Sequence, residues 1–330
     1  MKKKYHVSTI CNALVDVILK ATDDTIEALD LNKGKMHLVD KSQQEKILKH
    51  FTQQSQAIEL GGSALNLIKA MAQLNKKTFF AGVVSDDFFG TKIENKLTEL
   101  KINHKLGSNT TEATGSCVIL VTPDGERTLN TYLGASRYYN QDFVPTEAIA
   151  QSEIFHFCGY QWDTEDQKQG ILKAIDIAKK NNCLLSFDLA DPFVVKRYRE
   201  DFIDIIEKYA DIVFANREES EILYGLSPKA TAYKINEHGA TAVIKLDKDG
   251  ALVKATDQKE IIKIPAVQTT VVDTTGAGDM FAAGFLYGLS CGKSYDKCGA
   301  IAAQLASDVI NRYGAFLSEE VIKKIKANNE

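Results

Sequence analysis

Proline is scarce, five residues in 330, and no repeat or low-complexity tract interrupts the chain, so there is little room for a long linker. No apolar run approaches the roughly 18 residues needed to cross a bilayer as a helix. Neither sign of charge dominates: 40 basic and 44 acidic residues leave a formal net charge of −4. They are spread along the sequence without the basic stripe that nucleic acid demands, and a small-molecule partner is the expectation. Cys11, Cys117, Cys158, Cys183, Cys291 and Cys298 show no C-x-x-C spacing. Most sit in apolar runs where a thiol behaves as a small hydrophobe, so reduced cytosolic thiols are expected. The six histidines form no H-x-x-x-H pair, and G-x-x-x-x-G-K-[ST] is absent. Zinc and hydrolase readings are therefore weak, and any nucleotide must be held by something other than a Walker-type loop. Met1-Lys2-Lys3-Lys4 imitates the start of a signal peptide, but His6, Asn12 and Asp16 break the stretch behind it and no small-residue cleavage site follows. Retention in the cytoplasm is expected.

With 44% hydrophobic residues, the chain can bury a large core as one sizeable domain with an appendage or as two ordinary domains. From about Gln56 onward, short apolar or β-branched runs alternate with amphipathic stretches. Strand-like runs are Thr78 to Val84, Ile154 to Cys158, Leu184 to Asp188, Ile212 to Ala215 and Ala242 to Leu246. Between them, Ser63 to Leu74, Gly90 to Leu100, Glu165 to Lys180, Arg199 to Tyr209 and Arg217 to Tyr224 carry apolar residues at helical spacing. This reads as an α/β fold with a central, mostly parallel sheet covered by helices on both faces. Two segments break the pattern, about 12–39 and 114–133. In the second, Pro123-Asp124-Gly125-Glu126 reads as a hairpin turn joining Cys117–Val121 to Arg127–Tyr132. A lone ribbon is marginal, so it is expected to join strands of the first segment in a small β-sheet lid inserted into a single domain spanning 1–330.

The most telling residues lie late in the chain: Asp273-Thr274-Thr275-Gly276-Ala277-Gly278-Asp279, followed by the small-residue run Met280 to Leu286. They describe a bare turn opening a helix, where unpaired N–H groups and the helix dipole favour an anion and glycine lets phosphate approach. A carboxylate there repels phosphate but is well placed to take a proton from a hydroxyl attacking it, so Asp279 reads as a general base in phosphoryl transfer. Simple capping by Asp279 is the alternative. A dinucleotide fold is another, and it lacks its early G-x-G-x-x-G turn.

Three weaker constellations accompany this motif. Gly61-Gly62-Ser63-Ala64-Leu65-Asn66 joins a strand to a helix, with Asn66 able to reach back beside the glycines. Asn12-Ala13-Leu14-Val15-Asp16 places polar groups four residues apart, and Asp16 can clamp a vicinal diol or simply face solvent. Asn216-Arg217-Glu218-Glu219 is explained by helix capping, although Mg²⁺ would use the same oxygen groups through water.

Taken together, the glycine pair with its Asn66, Asn216-x-x-Glu219 and the late D-T-T-G-A-G-D resemble, in order and separation, the ribokinase-like carbohydrate and nucleoside kinases over essentially the whole chain. The resemblance implies an ATP- and Mg²⁺-dependent kinase with Asp279 as base and Gly276, Ala277 and Gly278 as the anion hole. It implies Asn216 and Glu219 around Mg²⁺, and Asn12, Asp16, Gly61, Gly62, Ser63 and Asn66 around the acceptor. Thr274, Lys245, Asp247 and Gly250 fall on the nucleotide side; Asp247 stands where many relatives have glycine. Asp273 matches a residue associated with a monovalent-cation site, which implies K⁺ activation. Within the family, Thr114-Gly115-Ser116-Cys117, Arg127 to Ala135, Gly159 to Asp163 and Ala190 to Phe193 are most similar to the adenosine kinase subgroup, bacterial forms especially. That likeness implies a purine wall of Leu14, Met36, Cys117, Leu133, Tyr160 and Phe193. It also implies a lid arginine, Arg127, swinging onto the phosphates, and a monomer. Gln161 sits between two aromatics and leaves the stacking position open. A ribokinase-like sugar kinase, an inosine or guanosine kinase, and a binding protein without catalysis are the other readings.

Overall fold

The computed structural model describes residues 3–51 and 57–328. Fourteen strands occur among them: β1 Tyr5–Ile10, β2 Leu14–Lys20, β3 Met36–Leu38, β4 Ala57–Gly61, β5 Thr78–Ser85, β6 Asn103–Asn109, β7 Gly115–Val121, β8 Arg127–Tyr132, β9 Ser152–Cys158, β10 Leu184–Asp188, β11 Ile212–Asn216, β12 Thr241–Lys245, β13 Ala251–Lys254 and β14 Ile262–Ile264. Nine form one sheet in the order β14-β13-β12-β11-β10-β9-β1-β5-β6. From β12 to β6 all neighbours are parallel; β13 and β14 add antiparallel at one edge. The α/β expectation holds, with β6, β13 and β14 as additions.

Side chains alternate between two cores, as a sheet covered on both faces requires. Ile154, Ile212, Phe214 and Val243 point to one core, with the helices Ser63–Gln73, Ala277–Ser290 and Tyr295–Val309. Phe155, Phe157, Val213 and Ile244 point to the other, with Glu165–Lys180 and Arg199–Lys208. Chain order reverses beside β1, whose neighbours are β9 and β5. A crevice outside the carboxyl ends of the strands at such a switch point is where open α/β sheets take ligands.

A smaller sheet, β3-β8-β7-β2-β4, lies over that edge. β7 and β8 pair antiparallel from Val121↔Arg127, and the turn between them has Gly125 at φ +84°. β4 joins this sheet antiparallel to β2, a strand of the lid that lies outside the two segments expected to form it. The helix Lys41–His50 covers the far face, where Gln44 donates to Ser116 Oγ at 2.8 Å.

Candidate active site

Gly276 caps the helix Ala277–Ser290 with left-handed φ +75°, a conformation that side-chain-bearing residues rarely adopt. Space is short as well, since a Cβ at this position would stand 2.7 Å from that of Ala315. The Ala277 N–H donates to Thr274 O at 3.1 Å, whereas no acceptor among the described residues takes the N–H groups of Gly276 and Gly278. The open donors of the turn are thus these two glycines, and the middle amide of the expected three is engaged. The small residues further along pack helix on helix: a Cβ at Gly284 would lie 2.6 Å from Ala302 Cα.

Asp279, in the first turn of that helix, is half-buried. Ser63 Oγ donates to its Oδ1 at 2.7 Å and Asn66 Nδ2 donates to its Oδ2 at 2.9 Å. Burial pushes the carboxyl above its ordinary value; the Ser63 and Asn66 hydrogen bonds and the nearby Lys245 ammonium pull it back, while Asp188 opposes them. The carboxylate is basic, fixed in direction by two donors, and retains lone pairs for a third. Asn66 Oδ1 is buried without a partner among the described residues. Ser63 and Asn66, expected to hold an acceptor, here both donate to the Asp279 carboxylate.

The strand ends supply the rest of the floor. Lys245 closes β12 and Asp188 closes β10, with Lys245 Nζ 3.1 Å from Asp188 Oδ2. The same ammonium lies 3.2 Å from where a Cβ on Gly278 would be, so a cation stands against the open turn. Burial opposes its charge, but Asp188 and Glu219 outweigh this and its pKa is raised. Asn216 and Glu219 form a reciprocal capping box: Asn216 Nδ2 donates to Glu219 Oε1 at 2.7 Å, and Glu219 N–H donates to Asn216 Oδ1 at 2.8 Å. Burial raises Glu219 to about 7. No group of three His, Cys, Asp or Glu side chains suited to a metal occurs among the described residues. Asp188 was missed by sequence reading. Its signal was positional, as the last residue of a strand beside β11, which ends in Asn216 and in turn neighbours β12, ending in Lys245.

One continuous cavity of about 1040 Å³ joins these groups to the small sheet. That is at the top of the roughly 300–1,000 Å³ usual for one small-molecule site, and suits two ligands side by side. Asp247, Gly250 and Thr274 border it, together with Val267, Ala303 and Ile310, which sequence reading did not single out. At the other end alternate residues of the small sheet enter the wall: Leu14 and Asp16 from β2, Cys117 from β7, Leu129 and Thr131 from β8, Met36 and Leu38 from β3. Leu133, Tyr160 and Phe193 complete it, whereas Gln161 is wholly buried. Burial raises the Asp16 carboxyl to about 6, offset in part by Lys69.

Several expected residues sit differently. Asn12 reaches the wall, but its amide is occupied, donating to Tyr160 O at 3.2 Å and accepting from Gln167 Nε2 at 3.0 Å. Gly62 borders the cavity at φ +99°. Gly61 lies behind it, where any Cβ would overlap the Asp16 carboxyl. Arg127 and Asp273 are outside the wall too, paired with each other at 2.8 Å.

A bare helix-capping turn, a fixed carboxylate and a two-ligand cleft at a sheet's switch point are the parts of a small-molecule phosphotransferase. The chain belongs to the pfkB family of carbohydrate kinases, whose model matches residues 30–321. It is an ATP-dependent kinase with a ribokinase-like fold. It is similar to the adenosine kinase of Sinorhizobium meliloti, with 32% identity and a TM-score of 0.90 over 98% of this chain and 99% of that one. A probable sugar kinase from Rhizobium etli CFN 42 gives 31% identity and a TM-score of 0.90 over 99% of both chains. Among curated proteins, 5-dehydro-2-deoxygluconokinase of Listeria monocytogenes is 26% identical over 81% of this chain and 86% of its own length.

Proposed function

We propose that the acceptor is adenosine, phosphorylated at its 5′-hydroxyl by ATP to give AMP and ADP. The observation that carries this reading is the acceptor wall: Leu14, Met36, Cys117 and Leu133 with Tyr160 and Phe193, and Asp16 as the lone carboxylate among the small-sheet wall residues. Such a slot suits a flat, neutral base with a diol at one end. The adenosine kinase named above supports it from outside.

In this reading Asp279 takes the hydroxyl proton as the oxygen attacks the γ-phosphorus, and the bond to the ADP oxygen breaks in line. The Gly276 and Gly278 amides and Lys245 face the charge that spreads over the transferring group. Asn216, Glu219 and Asp188 offer the hard oxygen groups that Mg²⁺ prefers. Because Asn216 and Glu219 already bond to each other, they would hold the ion through its waters. When bound, Mg²⁺ neutralises phosphate charge. The small sheet, built largely from about 12–39 and 114–133, acts as a lid that excludes water, in a cytoplasmic monomer.

A sugar-acid acceptor is the second reading, favoured by the gluconokinase relatives. A carboxylate substrate needs a free cation. The arginines near that end, Arg137 and Arg197, already lie 2.8 and 3.9 Å from Asp163, which argues against it. An ADP-release assay over adenosine, inosine, guanosine, ribose, fructose and 5-dehydro-2-deoxygluconate decides the matter. Adenosine should give the highest kcat/KM, and a sugar or sugar acid in first place would overturn the assignment.

A further inference from the structure

Asp273 precedes the anion turn, and its carboxylate is the group through which a monovalent metal ion was expected to act. Its surroundings do not suit an ion. Oδ1 accepts from Thr275 N–H at 2.9 Å, and Oδ2 accepts from Gly314 N–H at 3.1 Å. The remaining approach is filled by Arg127, whose Nη2 lies 2.8 Å from Oδ2 while Nη1 donates to Thr275 Oγ1 at 3.1 Å. The two side chains are 7% and 1% exposed, and the guanidinium lies 5.4 Å from the Tyr313 ring centroid. Arg127 opens β8, so this cation is carried by the small sheet.

We propose that Arg127 is the resident cation of the anion turn, taking the place of a monovalent metal ion at Asp273, so that phosphoryl transfer by this enzyme does not depend on K⁺. A guanidinium is charged at all working pH values, so one side chain forms an ion pair with the carboxylate while its Nη1 donates to the turn's Thr275; Nε and Nη2 have no hydrogen-bond partner among the described residues. An ion could reach Asp273 only if that guanidinium withdrew. The Asp273–Thr275 segment is further tied to the 310–314 loop, since Val272 and Asp273 N–H both donate to Ile310 O, at 2.7 and 3.1 Å. Arg127 thereby acts as a positioning residue. It holds the segment that ends in Gly276, and it does so only while the small sheet is seated.

The inference rests on phosphoryl transfer and not on the choice of acceptor, so the test uses whichever compound the wild-type enzyme phosphorylates fastest. Rates are measured in potassium chloride and in tetramethylammonium chloride at equal ionic strength. Wild type should differ by less than about twofold between the two salts. Arg127→Ala should lose at least about tenfold and recover when guanidinium or K⁺ is added. The double variant Arg127→Met with Asp273→Asn removes both buried charges, so it folds more readily than the single variant, and it should respond to neither cation. Steep K⁺ activation of wild type would overturn the proposal. So would a folded Arg127→Ala enzyme that no cation restores, or a double variant that guanidinium still activates.

Discussion

The contact between Ser63 and Asp279 separates two roles for the same residue, one in holding substrate and one in setting the basicity of the proposed base. Burial pushes the Asp279 carboxyl up, and the Ser63 hydroxyl at 2.7 Å is the largest influence pulling it back. Ser63→Ala removes that donor without adding volume. A hydrogen bond to a charged group is worth about 1.5–3 kcal/mol, a factor of roughly ten to a hundred in the ionised fraction on the acid side of the profile. The sign follows directly. With its donor lost, Asp279 holds its proton more tightly, so kcat/KM falls by that factor at low pH. As pH rises past the new titration the base ionises again and the loss shrinks to nothing. The assay is kcat/KM against pH for wild type and Ser63→Ala, alongside acceptor Kd at the alkaline plateau. A loss equal at every pH, matched by a weaker Kd, would refute the reasoning and return Ser63 to the acceptor.

Asp279→Asn keeps the shape but not the basicity, and should lower kcat roughly a hundred- to ten-thousandfold while acceptor Kd, measured by calorimetry, changes little; near-normal turnover would remove Asp279 as base. Asp16 titrates at about 6, and its ionised form accepts both hydroxyls of a diol, so acceptor KM should climb as pH falls through 6 and Asp16→Asn should flatten that climb. A slope that survives in the variant assigns the titration elsewhere. Lys245→Met leaves Asp188 and Glu219 without the ammonium that faces them and should raise the KM for ATP by roughly tenfold or more, with acceptor KM largely unchanged. An unaltered KM for ATP would take Lys245 out of the donor site.

Sequence alone reached the α/β class because the strands and helices of the main sheet carry unambiguous periods: Ile154–Cys158 is a short apolar run, and Glu165–Lys180 holds its apolar face over sixteen residues with a capping box at Thr164. β4 was harder to assign, since a five-residue strand has no local mark saying which sheet it joins. β6 reads as polar because only Gly107 of its seven residues is buried. The D-T-T-G-A-G-D turn was legible because a left-handed cap with an acid one turn later is a local requirement. What Ser63, Asn66, Arg127 and Asp188 do was not legible, because their partners lie 216, 213, 148 and 57 residues away.

Composition, period and turn chemistry, all properties of neighbours along the chain, determined a parallel sheet and a left-handed glycine turn with an acid in the first turn of its helix. Only tertiary packing decided that Ser63 and Asn66 meet the Asp279 carboxylate and that Arg127 fills the place beside Asp273. Hydrogen bonds and ion pairs act over a few ångströms of space, and no pattern of local propensity encodes which distant segments will meet at that range.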